Sequence, residues 1–193
     1  MGPKTLILLL AVSASALFLQ SEAVVIAIPR KVGPIARLGR LRENPTLNSI
    51  CKKTDYFVEC FSTIAPLLKG RPINAMVALK AEIQAANMKF REAKRLVEKL
   101  TASPTTSKTT KECLSVCTEN FDSALESLQD SLQAIAQRDR GSLSSQLSAV
   151  TTYVETCNDA FTDFNGHSPI SVANLHLAKI GSNCLAIAQQ VRL

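Results

Sequence analysis

The chain has 193 residues, a formal net charge of +6, six cysteines, two histidines and no tryptophan. Because its basic residues also lack interleaved aromatic residues, the composition argues against nucleic-acid binding. A serine or cysteine nucleophile would need His167 or His176, and no serine or cysteine lies in a nucleophile-elbow pattern. The composition therefore disfavours an enzyme.

The first 23 residues have the pattern of a cleavable secretory signal. Lys4 supplies the positive n-region, residues 6–19 the apolar h-region, and residues 21–23 a small-x-small cleavage pattern. An uncleaved anchor is less favoured, because the apolar run is shorter than the roughly 18 residues that a membrane span needs. We predict secretion to an oxidising compartment, without stable membrane insertion.

Residues 24–44 form a basic segment with five basic residues and one acid, whereas residues 45–193 hold 16 basic and 14 acidic residues. Prolines and glycines are scattered through the basic segment, so we expect it to be disordered or weakly ordered. A functional interpretation is weak contact with an acidic polysaccharide. The plainer interpretation is a solvated spacer or a piece that processing removes.

Apolar residues then recur at steps of three and four in four successive stripes, which is typical of helices in a bundle. We predict bundle helices at about 72–102, 107–138, 142–164 and 169–191, preceded by a small helical hairpin at about 45–69. The short connections predict antiparallel neighbours. The predicted fold of residues 45–193 is all-α: an up-down-up-down four-helix bundle after an N-terminal helical hairpin, stapled by disulfides.

The breaks between the stripes carry capping signals and separate regions of opposite charge. Candidate N-caps are Ser107 or Thr109 for the second bundle helix, Ser142 for the third, and Ser168 before Pro169 for the fourth. Residues 72–100 sum to +3 and residues 105–164 to −5. This separation predicts a dipolar surface that could orient a charged partner.

An even number of cysteines in a secreted chain usually means disulfides. Cys51 and Cys60 would lie ~13 Å apart in one straight helix at ~1.5 Å per residue, beyond the ~7 Å limit for a bridge. If they pair, the chain must turn between them, near residues 54–56. Cys113 and Cys117 could supply two thiolates to a metal, but disulfides are favoured, and we predict no metal and no cofactor.

Several strings of the chain resemble the plant invertase/pectin methylesterase inhibitor family, in the right order over about residues 46–193. They are ICKKTDY at 50–56, ECL at 112–114 with FDSAL at 121–125, LSAVT at 147–151 with TCNDAF at 156–161, and SNCLAI at 182–187. The resemblance implies a four-helix bundle after a helical hairpin, with disulfides Cys51–Cys60 and Cys113–Cys157. It also implies a protein secreted to the apoplast or cell wall, rather than the vacuole, that inhibits pectin methylesterase or acid invertase by occluding the active-site cleft.

The remaining cysteines, Cys117 and Cys184, form either a third disulfide or two free thiols. The register implied by Cys113–Cys157 places them at about the same height. Against a bridge, their helices should be diagonal in the bundle, and neighbouring helix axes are already ~8–10 Å apart.

The connection between the second and third bundle helices bears on the target enzyme. Inhibitors that resemble the invertase type carry a Pro-Lys-Phe motif there, whereas this chain has residues 138–142 without such a motif. We therefore predict a stoichiometric inhibitor of pectin methylesterase, with invertase inhibition as the alternative. The candidate enzyme-binding face is Glu119, Asp122, Glu126 and Asp130 on the second helix, with Ser144, Ser145, Ser148, Thr151, Thr152, Glu155 and Thr156 on the third.

A helical lipid or small-ligand carrier is the alternative from another class. Such a carrier would need a cavity, whereas the side chains along the four stripes are large enough to fill a core.

Overall fold

The computed structural model describes residues 44–68, 72–164 and 166–193. These residues form six α-helices and contain no strand, so the prediction of an all-α fold is confirmed. The predicted signal at 1–23 and most of the basic segment at 24–44 lie outside the described residues.

The helices fall into a short pair followed by four longer ones. They are α1 Pro45–Cys51, α2 Phe57–Leu68, α3 Ala75–Ala102, α4 Lys108–Gln137, α5 Arg140–Thr162 and α6 Ser171–Ala188. The pair α1 and α2 forms the hairpin, and the chain turns between them at residues 52–56. The ends of α3 to α6 lie within three residues of the predicted positions.

Each long helix packs against its neighbours in sequence, and α6 returns to pack against α3. Side-chain contacts mark these pairs. Phe90 of α3 packs edge-on against Phe121 of α4 with ring centroids 5.7 Å apart, and Asn174 of α6 donates to Asn158 of α5 over 2.7 Å. The hairpin rests on α3 and α6.

The helix starts show which capping predictions are correct. Ser107 caps α4 by accepting from the Thr110 amide, as predicted. The cap of α5 is Asp139 and not Ser142, because Arg138 adopts a left-handed φ of 58° and lets α5 begin after a connection of only two residues. The Ser142 hydroxyl and amide both donate to Asp139 and lower its pKa.

The start of α6 also differs from the prediction. Ser168 and Pro169 lie in a turn, in which the Ser168 hydroxyl accepts from the Ile170 amide. The helix begins only at Ser171, with Ile170 at the cap position. The predicted N-cap at Ser168 is therefore wrong by two residues.

The predicted apolar stripes line a continuous core in which Leu79, Phe90, Leu128 and Leu147 are inaccessible to solvent. Helical spacing places Leu132 on the second predicted stripe, four residues after Leu128, and Phe164 on the third, three residues after Phe161. They are nevertheless 41% and 59% exposed. Phe164 follows the end of α5 at Thr162, so the helical periodicity no longer applies to it.

Candidate functional site

The hairpin is attached to the bundle through a row of polar side chains on α6 and just beyond its end. These residues recur at helical spacing, on a face distinct from the apolar stripe of α6. The contacts are Lys179 to Glu59 at 3.3 Å, Ser182 to Asp55 at 2.8 Å, Asn183 to the Tyr56 backbone, and Gln190 to the Ile50 carbonyl at 3.2 Å. The α6 helix therefore has two contact faces, one apolar toward the bundle and one polar toward the hairpin.

Asn183 makes the most complete of these contacts. Its buried side-chain amide donates to the Tyr56 carbonyl over 3.1 Å, and its oxygen accepts from the Tyr56 amide over 3.3 Å. The Nζ of Lys179 also lies 5.6 Å from the centre of the Tyr56 ring, within the range of a cation–π contact. The turn between α1 and α2 is thus held on two sides.

Glu82 of α3 lies beneath the hairpin and is inaccessible to solvent. Its Oε2 is 2.6 Å from the Thr63 hydroxyl of α2, and its Oε1 has no hydrogen-bond partner among the described residues. Burial raises the pKa of Glu82 to about 8, although hydrogen bonds from Thr63 and Asn183 lower it in part. The predicted dipolar surface included Glu82 in the net charge of residues 72–100, and its burial corrects that prediction.

The spacing of Glu82 contained a signal for this burial. It lies three residues after Leu79 and four before Ala86, both of which are buried, so it occupies the apolar side of α3. A charged residue at such a position indicates a buried polar contact.

The structure contains two disulfides among the described residues. The Cys51–Cys60 bridge has a Cα–Cα distance of 5.7 Å and staples the hairpin, as expected. The second bridge is Cys117–Cys157, with a Cα–Cα distance of 4.5 Å. The expected Cys113–Cys157 pairing is therefore wrong.

The two-residue connection between α4 and α5 explains the correction. Cys117 lies 20 residues before the end of α4 and Cys157 lies 17 residues after the start of α5. A difference of three residues corresponds to a height mismatch of ~4.5 Å, whereas Cys113 would be mismatched by ~10 Å. Cys113 instead points one turn away, with its Sγ 3.1 Å from the Ala160 carbonyl.

Cys113 and Cys184 are free and buried. Because Cys117 is bonded to Cys157, a third bridge between Cys117 and Cys184 is excluded in this structure. Burial and the neighbouring Glu82 raise the pKa of the Cys184 thiol. Its environment is that of an inert core thiol.

The hydroxyl part of the candidate face follows the outside of α5. Ser144, Ser145, Ser148, Thr152, Glu155 and Thr156 are exposed, and Thr151 is half-buried. The Thr151 hydroxyl donates to the Ser148 carbonyl over 2.7 Å, and its methyl group would lie 3.0 Å from a Cβ added at Gly181. This part of the face therefore extends toward α6.

The acidic part of the candidate face lies on α4, where Glu119, Asp122 and Glu126 are exposed and Asp130 is partly exposed. Asp122 forms an ion pair with Lys94 of α3, with Nζ–Oδ distances of 2.5 and 2.8 Å. This contact shows that the acidic part of the candidate face lies on the side of α4 that meets α3. The structure thus separates the acidic and hydroxyl parts into two surfaces that diverge around the bundle.

A groove of about 540 Å³ runs between α3 and α6, with Glu59, Glu92, Leu96, His176 and Lys179 in its walls. In the described part of the chain, no group of acids, cysteines and histidines could hold a metal ion. None of the described helices combines the length and hydropathy required to cross a membrane.

The model of the plant invertase/pectin methylesterase inhibitor family matches residues 45–187. No curated protein matches the chain. The fold is similar to the crystal structure of mutant form A of a pectin methylesterase inhibitor from Arabidopsis (TM-score 0.63, 16% identity, 75% of this chain and 96% of that chain). It is also similar to a pectin methylesterase inhibitor from Arabidopsis thaliana (TM-score 0.57, 16% identity, 78% and 99%). Since the family match extends from α1 through nearly all of α6, the chain belongs to the plant invertase/pectin methylesterase inhibitor family.

Proposed function

We propose that the protein inhibits pectin methylesterase by occupying the active-site cleft of the enzyme in a stoichiometric complex. Membership of the family supports an inhibitor, and the structural neighbours are inhibitors of pectin methylesterase. We favour pectin methylesterase over acid invertase because of the connection between α4 and α5. It consists of Arg138 and Asp139 alone, and lacks the Pro-Lys-Phe motif of inhibitors that resemble the invertase type.

The outer face of α5 is the proposed contact surface. A cleft that binds pectin is built to hydrogen-bond the hydroxyl and carboxyl groups of a polysaccharide, and serine and threonine side chains both donate and accept. The Thr151 and Thr156 hydroxyls donate to carbonyls of their own helix, so their free lone pairs can accept from the enzyme. The acids of α4 lie on a separate surface, so they are not part of this proposed contact.

The proposed site of action is outside the cell, in the cell wall, in agreement with the predicted signal at 1–23. Two alternatives remain as outcomes of the test: inhibition of acid invertase, and binding of a lipid or small ligand by the helical domain. A ligand-dependent rise in thermal stability would indicate the second alternative.

Titration of the purified mature protein into pectin methylesterases and acid invertases tests the proposal. We expect residual pectin methylesterase activity to fall linearly to an equivalence point near one inhibitor per enzyme. Loss of invertase activity alone would favour the first alternative. Failure to inhibit a panel of either enzyme class would contradict the proposal.

A matched pair of variants tests the surface. Ser148→Lys places a long cation on the exposed face of α5, whereas Gln84→Lys makes a comparable change on the exposed face of α3. We expect Ser148→Lys to weaken inhibition at least tenfold and Gln84→Lys to leave it unchanged. Equal inhibition by both variants would place the contact surface elsewhere.

A further inference from the structure

The Glu82 carboxyl is enclosed where the hairpin meets the bundle. It projects from α3, contacts Thr63 of α2 at 2.6 Å, and lies near Asn183 and Cys184 of α6. A buried carboxylate normally has a cation or several donors around it. The Thr63 hydroxyl lies 2.6 Å from Oε2 and the Asn183 amide lies nearby, but Oε1 has no hydrogen-bond partner among the described residues. Such a site suits a neutral acid.

The charged groups around Glu82 do not compensate its charge. On the hairpin, Glu59 is paired with Lys179 of α6, and Lys52 and Lys53 are exposed at the end of α1. On α6, the neighbouring Cys184 has no positive charge to offer. On α4, the register of Phe90 with Phe121 places Asp130 near this height, and it is also an acid. Ionised Glu82 would therefore be a buried, uncompensated charge.

The hairpin covers Glu82, and its separation from the bundle would remove the cost of burying the ionised carboxylate. The hairpin is joined to α3 and α6 by apolar packing together with the polar row Lys179, Ser182, Asn183 and Gln190. The bridge Cys51–Cys60 lies inside the hairpin and does not tie it to the bundle. Separation of the hairpin would expose Glu82 to water without breaking either disulfide.

We infer that Glu82 is a proton-operated latch: its neutral form holds the hairpin on the bundle through Thr63, and its ionisation drives the hairpin to separate. The latch is a property of the fold and does not depend on the identity of the target enzyme. The latch is most tightly closed below pH 4.5, where Glu82 is neutral whether the hairpin is docked or open.

The sign and the range of the effect follow from proton linkage. The carboxyl has a pKa of about 8 when docked and an ordinary value of 4.5 when exposed. Between these values the open form releases a proton, so the opening equilibrium constant rises about tenfold per pH unit. Above pH about 8 both forms are ionised and the constant levels off, roughly 10³-fold above its value in acid.

Hydrogen exchange of the full protein, with both disulfides intact, tests the inference. The readout is the protection of the most protected α2 amides, after correction for the intrinsic pH dependence of exchange, with α5 amides as an internal reference. We expect α2 protection to fall about tenfold per pH unit from pH 5 to 8 and then to flatten, while α5 protection does not follow.

Glu82→Gln is the matched variant, since it keeps the shape and removes the ionisation. We expect its α2 protection to be independent of pH. His176→Gln is the control for the other titratable contact to the hairpin, the 3.8 Å approach of His176 to Glu59, and should keep the wild-type slope. A flat wild-type profile, an unchanged slope in Glu82→Gln, or a parallel loss of α5 protection would each overturn the inference. The wild-type profile is decisive even if the variant does not fold.

Discussion

The α4–α5 pair and the contact between the hairpin and the bundle are held together by different means. The α4–α5 pair has a two-residue connection, an apolar seam and the Cys117–Cys157 bridge. The hairpin contact adds to its apolar packing a row of polar groups that meet across more than 100 residues of sequence, such as Tyr56 and Asn183. The α4–α5 contact buries no acid among the described residues, whereas the buried Glu82 makes the hairpin contact depend on protonation.

The largest effect should be a pH dependence of the free energy of unfolding that arises from the contact between the hairpin and the bundle. Glu82 has a raised pKa in the folded state, about 8 against 4.5, so between these values the folded protein binds one more proton than the unfolded chain. Stability should fall as pH rises, by roughly 1.4 kcal/mol per pH unit and on the order of 4–5 kcal/mol in total. Urea unfolding at pH 5 and pH 9 measures it, and Glu82→Gln should remove most of the difference.

The next effect belongs to the α4–α5 side. Replacing Cys117 with Ala removes a bridge across a sequence separation of 40 residues and should lower the free energy of unfolding by about 3–4 kcal/mol. Cys113→Ala is the control, because it should leave the bridge in place and cost less. Peptide mapping of the non-reduced protein checks the pairing directly, and a Cys113–Cys157 peptide in the wild type would contradict it.

Asn183→Ala should weaken the hairpin contact specifically. The variant leaves the Tyr56 amide and carbonyl without their two partners, at a cost of about 2–3 kcal/mol. Hydrogen exchange should show the loss mainly in α1 and α2. Ser182→Ala, which removes an exposed contact with Asp55, is the matched control and should have little effect. Equal losses of protection in α2 and α5 would refute the division into two independent contacts.

The smallest effect is a local one at the start of α4. Ser107→Ala removes the side chain that caps the Thr110 amide and should cost about 1 kcal/mol in thermal or urea unfolding. Thr109→Ala, next to the cap but inside the helix, should be close to neutral. If both variants lose the same stability, Ser107 does not act as a cap.

Periodicity of apolar residues was sufficient to predict the helices, because each stripe needs only the helical repeat of 3.6 residues and a core to face. The same pattern misplaced Phe164, which lies beyond the end of α5. It also left Glu82 unexplained, although the spacing from Leu79 to Ala86 already placed it on the buried side. Residue type alone does not distinguish a solvated glutamate from a buried one, so the net charge of residues 72–100 included Glu82 as a surface charge.

The candidate face also shows what helical spacing alone cannot predict. Its exposed positions on α4 and α5 could be predicted from helical spacing, but their separation could not. That separation depends on which neighbour each helix edge meets, as the contacts of Asp122 with Lys94 and of Thr151 near Gly181 show.

The helical class, the position of the hairpin and the four long helices follow from short-range spacing, since backbone hydrogen bonding and burial of one stripe act within a few turns. The partner of Cys157, the burial of Glu82 and the polar contacts of α6 depend on the height and rotation of helices relative to one another. A shift of one turn, ~5.4 Å, is enough to exchange Cys113 for Cys117. Such a shift leaves every apolar stripe intact, so only the packed structure distinguishes the alternatives.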